Sequence, residues 1–240
     1  MDKKCSCIIP FYNEAKRTVA VLAKLKDLQS IKKIILVDDW STDQWWKYLT
    51  DYINKNNIDK AEVVSYINNQ WKAAAVKAWL DKVQTEYVLL FDADITNIKI
   101  QEVDDMIQQL YQDPQIDMWI LRRISAKRYI KLFYRELILS GQRMMRTKDL
   151  QDIFHKKIEK YQLEIAINTY MTEQKKITIR FPFTWENQFK QKKRWFRSGK
   201  KRDLLMFKDI IDYQGFWFFV KHMLSFKPTS INKYKKQKVI

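Results

Sequence analysis

The sequence predicts an α/β fold on a doubly wound, mostly parallel sheet, and three observations carry that expectation. Short apolar runs alternate with stretches of helical periodicity between Cys5 and Leu121. Two of the runs, Ile34 to Val37 and Tyr87 to Phe91, are uninterrupted by polar residues, as in strands covered on both faces. Three of them end in polar or acidic clusters, and such sheets bind their ligands outside the carboxyl ends of the strands.

Each element follows in order. Cys5 to Ile9 is a short apolar run closed by Pro10, and residues 14 to 28 carry Val19, Val21, Leu22, Leu25 and Leu28 at helical spacing. Ile34 to Val37 reads as a buried strand ending at Asp38-Asp39, Asp43 to Asn54 as a helix, and Ala61 to Ile67 as a third strand. Lys72 to Val83 is helical. Tyr87 to Phe91 is a fourth strand ending at Asp92, followed by a helix near 99 to 113 and the apolar segment Ile116 to Leu121. Past residue 125 the rhythm fades into mixed amphipathic helices, including Lys201 to Phe226, and the last dozen residues read as frayed.

At 240 residues and 46% hydrophobic composition, the chain can bury one substantial core. It holds no apolar run of about 18 residues, the length a membrane-spanning helix needs, and its first residues lead straight into a strand pattern, so a cytoplasmic location is expected. Cys5 and Cys7 fall on one face of a strand without further ligands for a zinc site, and read as reduced core residues. The net charge of +17 is concentrated after residue 175, in Lys190-Gln191-Lys192-Lys193-Arg194, Lys200-Lys201-Arg202 and the Lys-rich end. Such a field favours anionic partners: nucleotide diphosphates, an anionic membrane surface met peripherally, or nucleic acid. No base-reading motif supports nucleic acid, which is the weakest of these.

Asp92 and Asp94 flank one small residue just after a buried strand, so the turn can aim their carboxylates at a hard divalent cation, Mn2+ or Mg2+. An isolated D-x-D is also an ordinary polar turn. Its weight comes from Pro10 to Glu14 and Asp38-Asp39, which the topology brings to the same sheet edge.

Four motifs, in order and spacing, resemble the family 2 glycosyltransferases of GT-A fold: Ile8-Ile9-Pro10-Phe11-Tyr12-Asn13-Glu14, Val37-Asp38-Asp39-Trp40-Ser41-Thr42-Asp43, Asn69-Gln70-Trp71-Lys72-Ala73-Ala74-Ala75 and Leu90-Phe91-Asp92-Ala93-Asp94. Leu139-Ser140-Gly141-Gln142-Arg143 and Tyr161-Gln162-Leu163-Glu164-Ile165 further resemble a subgroup of glucosyl-3-phosphoglycerate synthase-like and polyprenyl-phosphate glycosyltransferase-like enzymes. The resemblance implies a GT-A domain over 1–200, with a nucleotide-binding half to about 122 and an acceptor half from 123, and a basic amphipathic helical tail over 201–240.

It also implies roles. Pro10, Tyr12, Glu14 and Asp39 would surround the nucleoside of a nucleoside diphosphate sugar, with a UDP-sugar the expected donor. Lys72 would approach the diphosphate, Asp92 would face ribose or metal, and Asp94 would hold the metal. Ser140, Gly141, Gln142 and Arg143 would lie in the acceptor or sugar region, and Glu164 would be a candidate base beside an unidentified acceptor, lipid-linked or a small phosphorylated molecule. Related enzymes often supply a late histidine to the metal; here the matching stretch reads Thr184-Trp185-Glu186-Asn187-Gln188, which leaves the third ligand open, with Glu186 and Asn187 as candidates. Gln191 to Trp195 matches a Q-x-x-R-W pattern of processive synthases.

The resemblance expects glycine where this chain has Trp40, Trp71 and Trp79. Three glycines in 240 residues stand against about 7% in ordinary proteins, while tryptophan numbers nine. A gene that reads UGA as glycine, translated with UGA as tryptophan, would give both anomalies; Gly141, Gly199 and Gly215 would then use ordinary codons.

Overall fold

The computed structural model describes residues 5–42, 45–65, 71–123, 139–160, 162–184, 186–187, 206 and 208–238. Strands β1 (Cys5–Phe11), β2 (Ile31–Asp38), β3 (Ala61–Ser65) and β4 (Tyr87–Leu90) alternate with helices α1 (Ala15–Leu25), α2 (Trp45–Lys55) and α3 (Trp71–Leu80). A short strand β5 (Ile95–Thr96), helix α4 (Ile100–Gln112) and strand β6 (Met118–Arg123) follow. Then come β7 (Arg143–Arg146), α5 (Thr147–Ile153), α6 (Leu163–Glu173), β8 (Thr178–Phe183) and β9 (Glu186–Asn187). The described chain closes with a helical stretch over 208–214, α7 (Phe216–Ser225), β10 (Thr229–Ser230) and α8 (Ile231–Lys238).

Eight strands form one sheet in the order β10-β8-β6-β7-β4-β1-β2-β3, while β5 and β9 pair separately. Every pairing in the large sheet is parallel except those of β7, which runs against both β4 and β6. The expected doubly wound sheet is therefore present, with one reversed strand in its middle.

Alternation along the strands feeds two apolar layers. Cys5, Cys7 and Ile9 join α1, α2 and α4 through Leu22, Leu25, Leu49, Ile53, Val103 and Leu110 on one face. Ile8, Ile35 and Val37 meet α3, α5 and α6 through Val76, Leu80, Leu150 and Ile167 on the other. Cys5 and Cys7 are free and fully buried; burial lifts the Cys5 thiol to about 12 and raises Cys7 well above the usual thiol value, which keeps both unreactive.

Four sequence expectations change. Pro10 does not close β1: the strand runs on to Phe11 beside β2, while its pairing with β4 ends at Ile8 opposite Leu90. The missing proline N–H thus falls beyond the end of one neighbour. The region after residue 125 adds β7, β8 and β10 to the sheet instead of helices alone. The expected helix to Phe226 is interrupted at Gly215, whose φ of 83° lies in the left-handed region, and the frayed end is instead a strand and a helix, with Ile231 buried.

Candidate active site

All strands of the large sheet but β7 point the same way, so the ends of β1, β2 and β4 form one edge. Two loops there are tied together by main-chain and short polar groups. Asp39 N donates to Phe11 O (2.9 Å), Asn13 N to Ser41 Oγ (2.8 Å) and Thr42 N to Asn13 Oδ1 (2.8 Å). Ser41 N donates to Asp38 Oδ1 at 2.9 Å, closing a turn immediately after β2. Asp38 and Asp39 are buried, whereas Tyr12 is 47% exposed. Pro10 is half-buried at the base of the loop. Glu14, expected near the nucleoside, pairs within its own helix turn with Arg17 at 2.8 Å.

The D-x-D turn owes its orientation to the same alternation that builds the core. Phe91, Ala93 and Ile95 are buried, Phe91 edge-on to Phe183, and the intervening Asp92 and Asp94 stay partly open. Lys72, in the first turn of α3, reaches across to Asp92 Oδ1 (2.6 Å) and to Glu164 Oε1 (2.8 Å) in the first turn of α6. Burial works against the Lys72 charge, but the carboxylates of Asp92 and Glu164 outweigh it and raise its pKa above the ordinary lysine value. Burial, then the neighbouring Asp92 charge, raises the Asp94 pKa. A divalent cation beside the two carboxylates would oppose that charge.

Ser140 to Gln142 approach the same place because β7 starts at the carboxyl edge, Arg143 standing opposite Leu90. Gln142 Nε2 donates to Asp92 Oδ2 at 2.5 Å. Gly141 passes so close that a Cβ there would lie 2.3 Å from both Asp92 carboxylate oxygens and 2.4 Å from Lys72 Nζ. Ser140 Oγ donates to Leu121 O at 3.2 Å. Arg143 is fully buried behind this loop, giving its Nε–H to Ser140 O (2.6 Å) and a guanidinium N–H to Asn168 Oδ1. Burial lowers its pKa to about 10, against the supporting charges of Glu164 and Asp92. Ser140, Gln142 and Arg143 are thus buried supports of Asp92, and of the four residues expected in the acceptor region it is Gly141 that gives room to the Lys72–Asp92 pair.

The segment expected to complete a metal site lies alongside: β9 pairs with β5, Glu186 opposite Thr96 and Asn187 opposite Ile95, just past Asp94. Among the described residues, no three His, Cys, Asp or Glu side chains cluster as a metal set. Of the quoted motifs, Asp43, Asn69, Gln70, Tyr161, Trp185, Gln188 and the Q-x-x-R-W stretch lie outside the described residues. Sequence reading passed over Arg17, whose charge acts on Asp94, and Asn168, the partner of Arg143. The Glu14–Arg17 spacing of three on a helix was a signal for the first; nothing local marks the second.

A family profile described as "Glycosyl transferase family 2" matches residues 6–160. The dolichyl-phosphate beta-glucosyltransferase of Mus musculus is 33% identical over 101 residues, 38% of this chain and 31% of that protein. Its namesake from Dictyostelium discoideum is 31% identical over 116 residues, 44% of this chain and 36% of that one. The chain thus spans about a third of the length of the curated relatives it matches. The glucosyl-3-phosphoglycerate synthase of Mycobacterium tuberculosis, solved with Mn2+, UDP-glucose and phosphoglyceric acid, superposes with a TM-score of 0.66 over 88% of this chain and 79% of its own, at 16% identity, and so shares the fold. With the profile covering well over half of the residues and its motifs gathered at one sheet edge, the chain belongs to glycosyl transferase family 2.

Proposed function

We propose that the protein transfers a sugar from a nucleoside diphosphate sugar, a UDP-sugar, to an acceptor that is lipid-linked or a small phosphorylated molecule. The observation that carries this reading is the convergence of Lys72, Asp92 and Glu164 beside Asp94. A cation at Lys72 opposes the charge that builds on a departing diphosphate. Glu164, 14% exposed and in the first turn of a helix, is a carboxylate able to take the proton of an acceptor hydroxyl once Lys72 turns to the donor. Asp94, with Asp92, would hold a divalent cation, Mn2+ or Mg2+, which when bound supplies Lewis-acid neutralisation of the diphosphate. Tyr12, Pro10 and Asp39 supply the walls of a nucleoside site, and Gly141 and Gln142 keep Asp92 aimed.

The relatives support two acceptor chemistries: a lipid phosphate by the dolichyl-phosphate enzymes' names, and a phosphorylated acid by the synthase complex. The lipid reading has support on this chain. Phe216, Trp217 and Phe218 are 53%, 80% and 38% exposed at the start of α7, with Lys221 and Lys227 exposed nearby. Aromatics beside lysines suit peripheral contact with an anionic membrane on its cytoplasmic face. Among the described residues no helix is long and apolar enough to cross one.

The test is UDP binding and donor hydrolysis with and without Mn2+, beside Asp94→Ala and Lys72→Ala, at two salt concentrations. Binding should require metal and Asp94, and Lys72→Ala should lower turnover by about 100-fold or more. Nucleotide binding indifferent to metal, Asp94 and Lys72 would end the transferase reading. Flotation with anionic vesicles separates the membrane-linked acceptor from the small one.

A further inference from the structure

Among described residues other than glycine, seven have a positive φ: Asn13, Trp40, Asn57, Trp71, Asn97, Lys160 and Lys175. Asparagine visits that region readily because its short side chain bonds locally; a bulky indole does not. Yet Trp40 stands at 67° and Trp71 at 69°. One sits between Asp39 and Ser41 and the other next to Lys72, so both flank the candidate active site.

The conformation at Trp40 is imposed from outside the indole. The bonds of Asp39, Ser41 and Thr42 to Phe11, Asp38 and Asn13 fix the chain on both sides, and a left-handed residue joins the two halves. Neither indole gains a core in exchange, since they remain 49% and 43% exposed. Two other tryptophans make the contrast. Trp79 is within α3, without positive φ, under the Lys82 ammonium at 4.0 Å. Trp119 is fully buried, edge-on to Phe181 at 5.5 Å.

We propose that the working protein carries glycine at positions 40 and 71, inserted at UGA codons that its own cell decodes as glycine. Glycine takes φ near +65° without a Cβ clash. The same decoding shifts the imbalance of three glycines against nine tryptophans in the expected direction. It applies codon by codon, so tryptophans encoded by UGG remain, and the backbone at Trp79 gives no sign of the glycine the motif pattern expects there. The proposal concerns residue identity and stands whether or not the transferase reading does.

The deciding experiment is peptide mass spectrometry of the protein isolated from its own cells, with the gene sequenced alongside. The tryptic peptides 34–47 and 61–72 should carry glycine at 40 and 71, with UGA at both codons. Tryptophan masses there, or UGG codons, overturn the proposal. On recombinant protein, Trp40→Gly and Trp71→Gly should each raise Tm by about 2–4 °C; a fall at both positions would count equally against it. None of these readouts depends on nucleotide binding.

Discussion

At Asp92 one carboxylate is held by two separate parts of the chain: Lys72 from α3, and the loop before β7, through Gln142 and the close pass of Gly141. Space there is exhausted, so the smallest enlargement is informative. Gly141→Ala pushes a methyl into the Asp92 oxygens and the Lys72 amine, both needed where they are. It should cost on the order of 1–3 kcal/mol of stability and more than 10-fold in turnover, read by denaturant midpoint and donor hydrolysis. Turnover unchanged in the alanine variant would mean the pair has room to move. The family resemblance had named Asp92, Lys72 and Glu164 as candidate site residues. What could not be read is that Lys72 bridges the two carboxylates, because residues 72, 92 and 164 meet only through the fold. Nor could the burial of Arg143, since an arginine in a sequence looks like a surface residue until a partner such as Asn168 is found for it.

The helices and strands of the first half were readable to within a few residues, because buried parallel strands are plain apolar runs and their helices are periodic. β7 was not: Arg-Met-Met-Arg is four residues long, with no alternation and a charge at each end. Its place depends on β4 and β6 accepting it from either side. Arg143 ties this strand to α6 through Asn168, making the two elements one support. Arg143→Met should destabilise by about 2–3 kcal/mol, since it removes the buried donors to Asn168 Oδ1 and the Ser140 carbonyl. Arg143→Met with Asn168→Leu should recover part of that loss, because removing both partners leaves fewer unpaired groups. If the double variant is no better than the single one, the pair is not coupled.

Across the molecule, the C-terminal helices were the least legible part, their apolar residues being mixed with lysines. The structure turns them into a cover for the α3, α5 and α6 face, with Ile210, Phe219 and Phe226 buried. His222 lies inside this cover, stacked between Phe218 and Phe226. Burial, then the charge of Arg143, depresses its pKa to about 4. The unfolded chain protonates near 6.5 and the folded one only near 4, so this contribution is intact above 6.5 and is lost as pH falls to 4. Each unit of depression corresponds to about 1.4 kcal/mol. His222→Phe should therefore lose less stability between pH 7 and pH 4.5 than the parent, measured by urea midpoints at both. Equal losses would remove His222 from the account.

The reversed strand in the middle of the sheet has a consequence for how the protein fails. β7 completes the ladder between β4 and β6 and, by the same hydrogen bonds, delivers Gln142 to Asp92. A site assembled on an edge strand could fray away while the rest of the molecule persisted. Here the geometry of the candidate site and the continuity of the sheet are one cooperative unit, so heat inactivation and global unfolding should share a single transition.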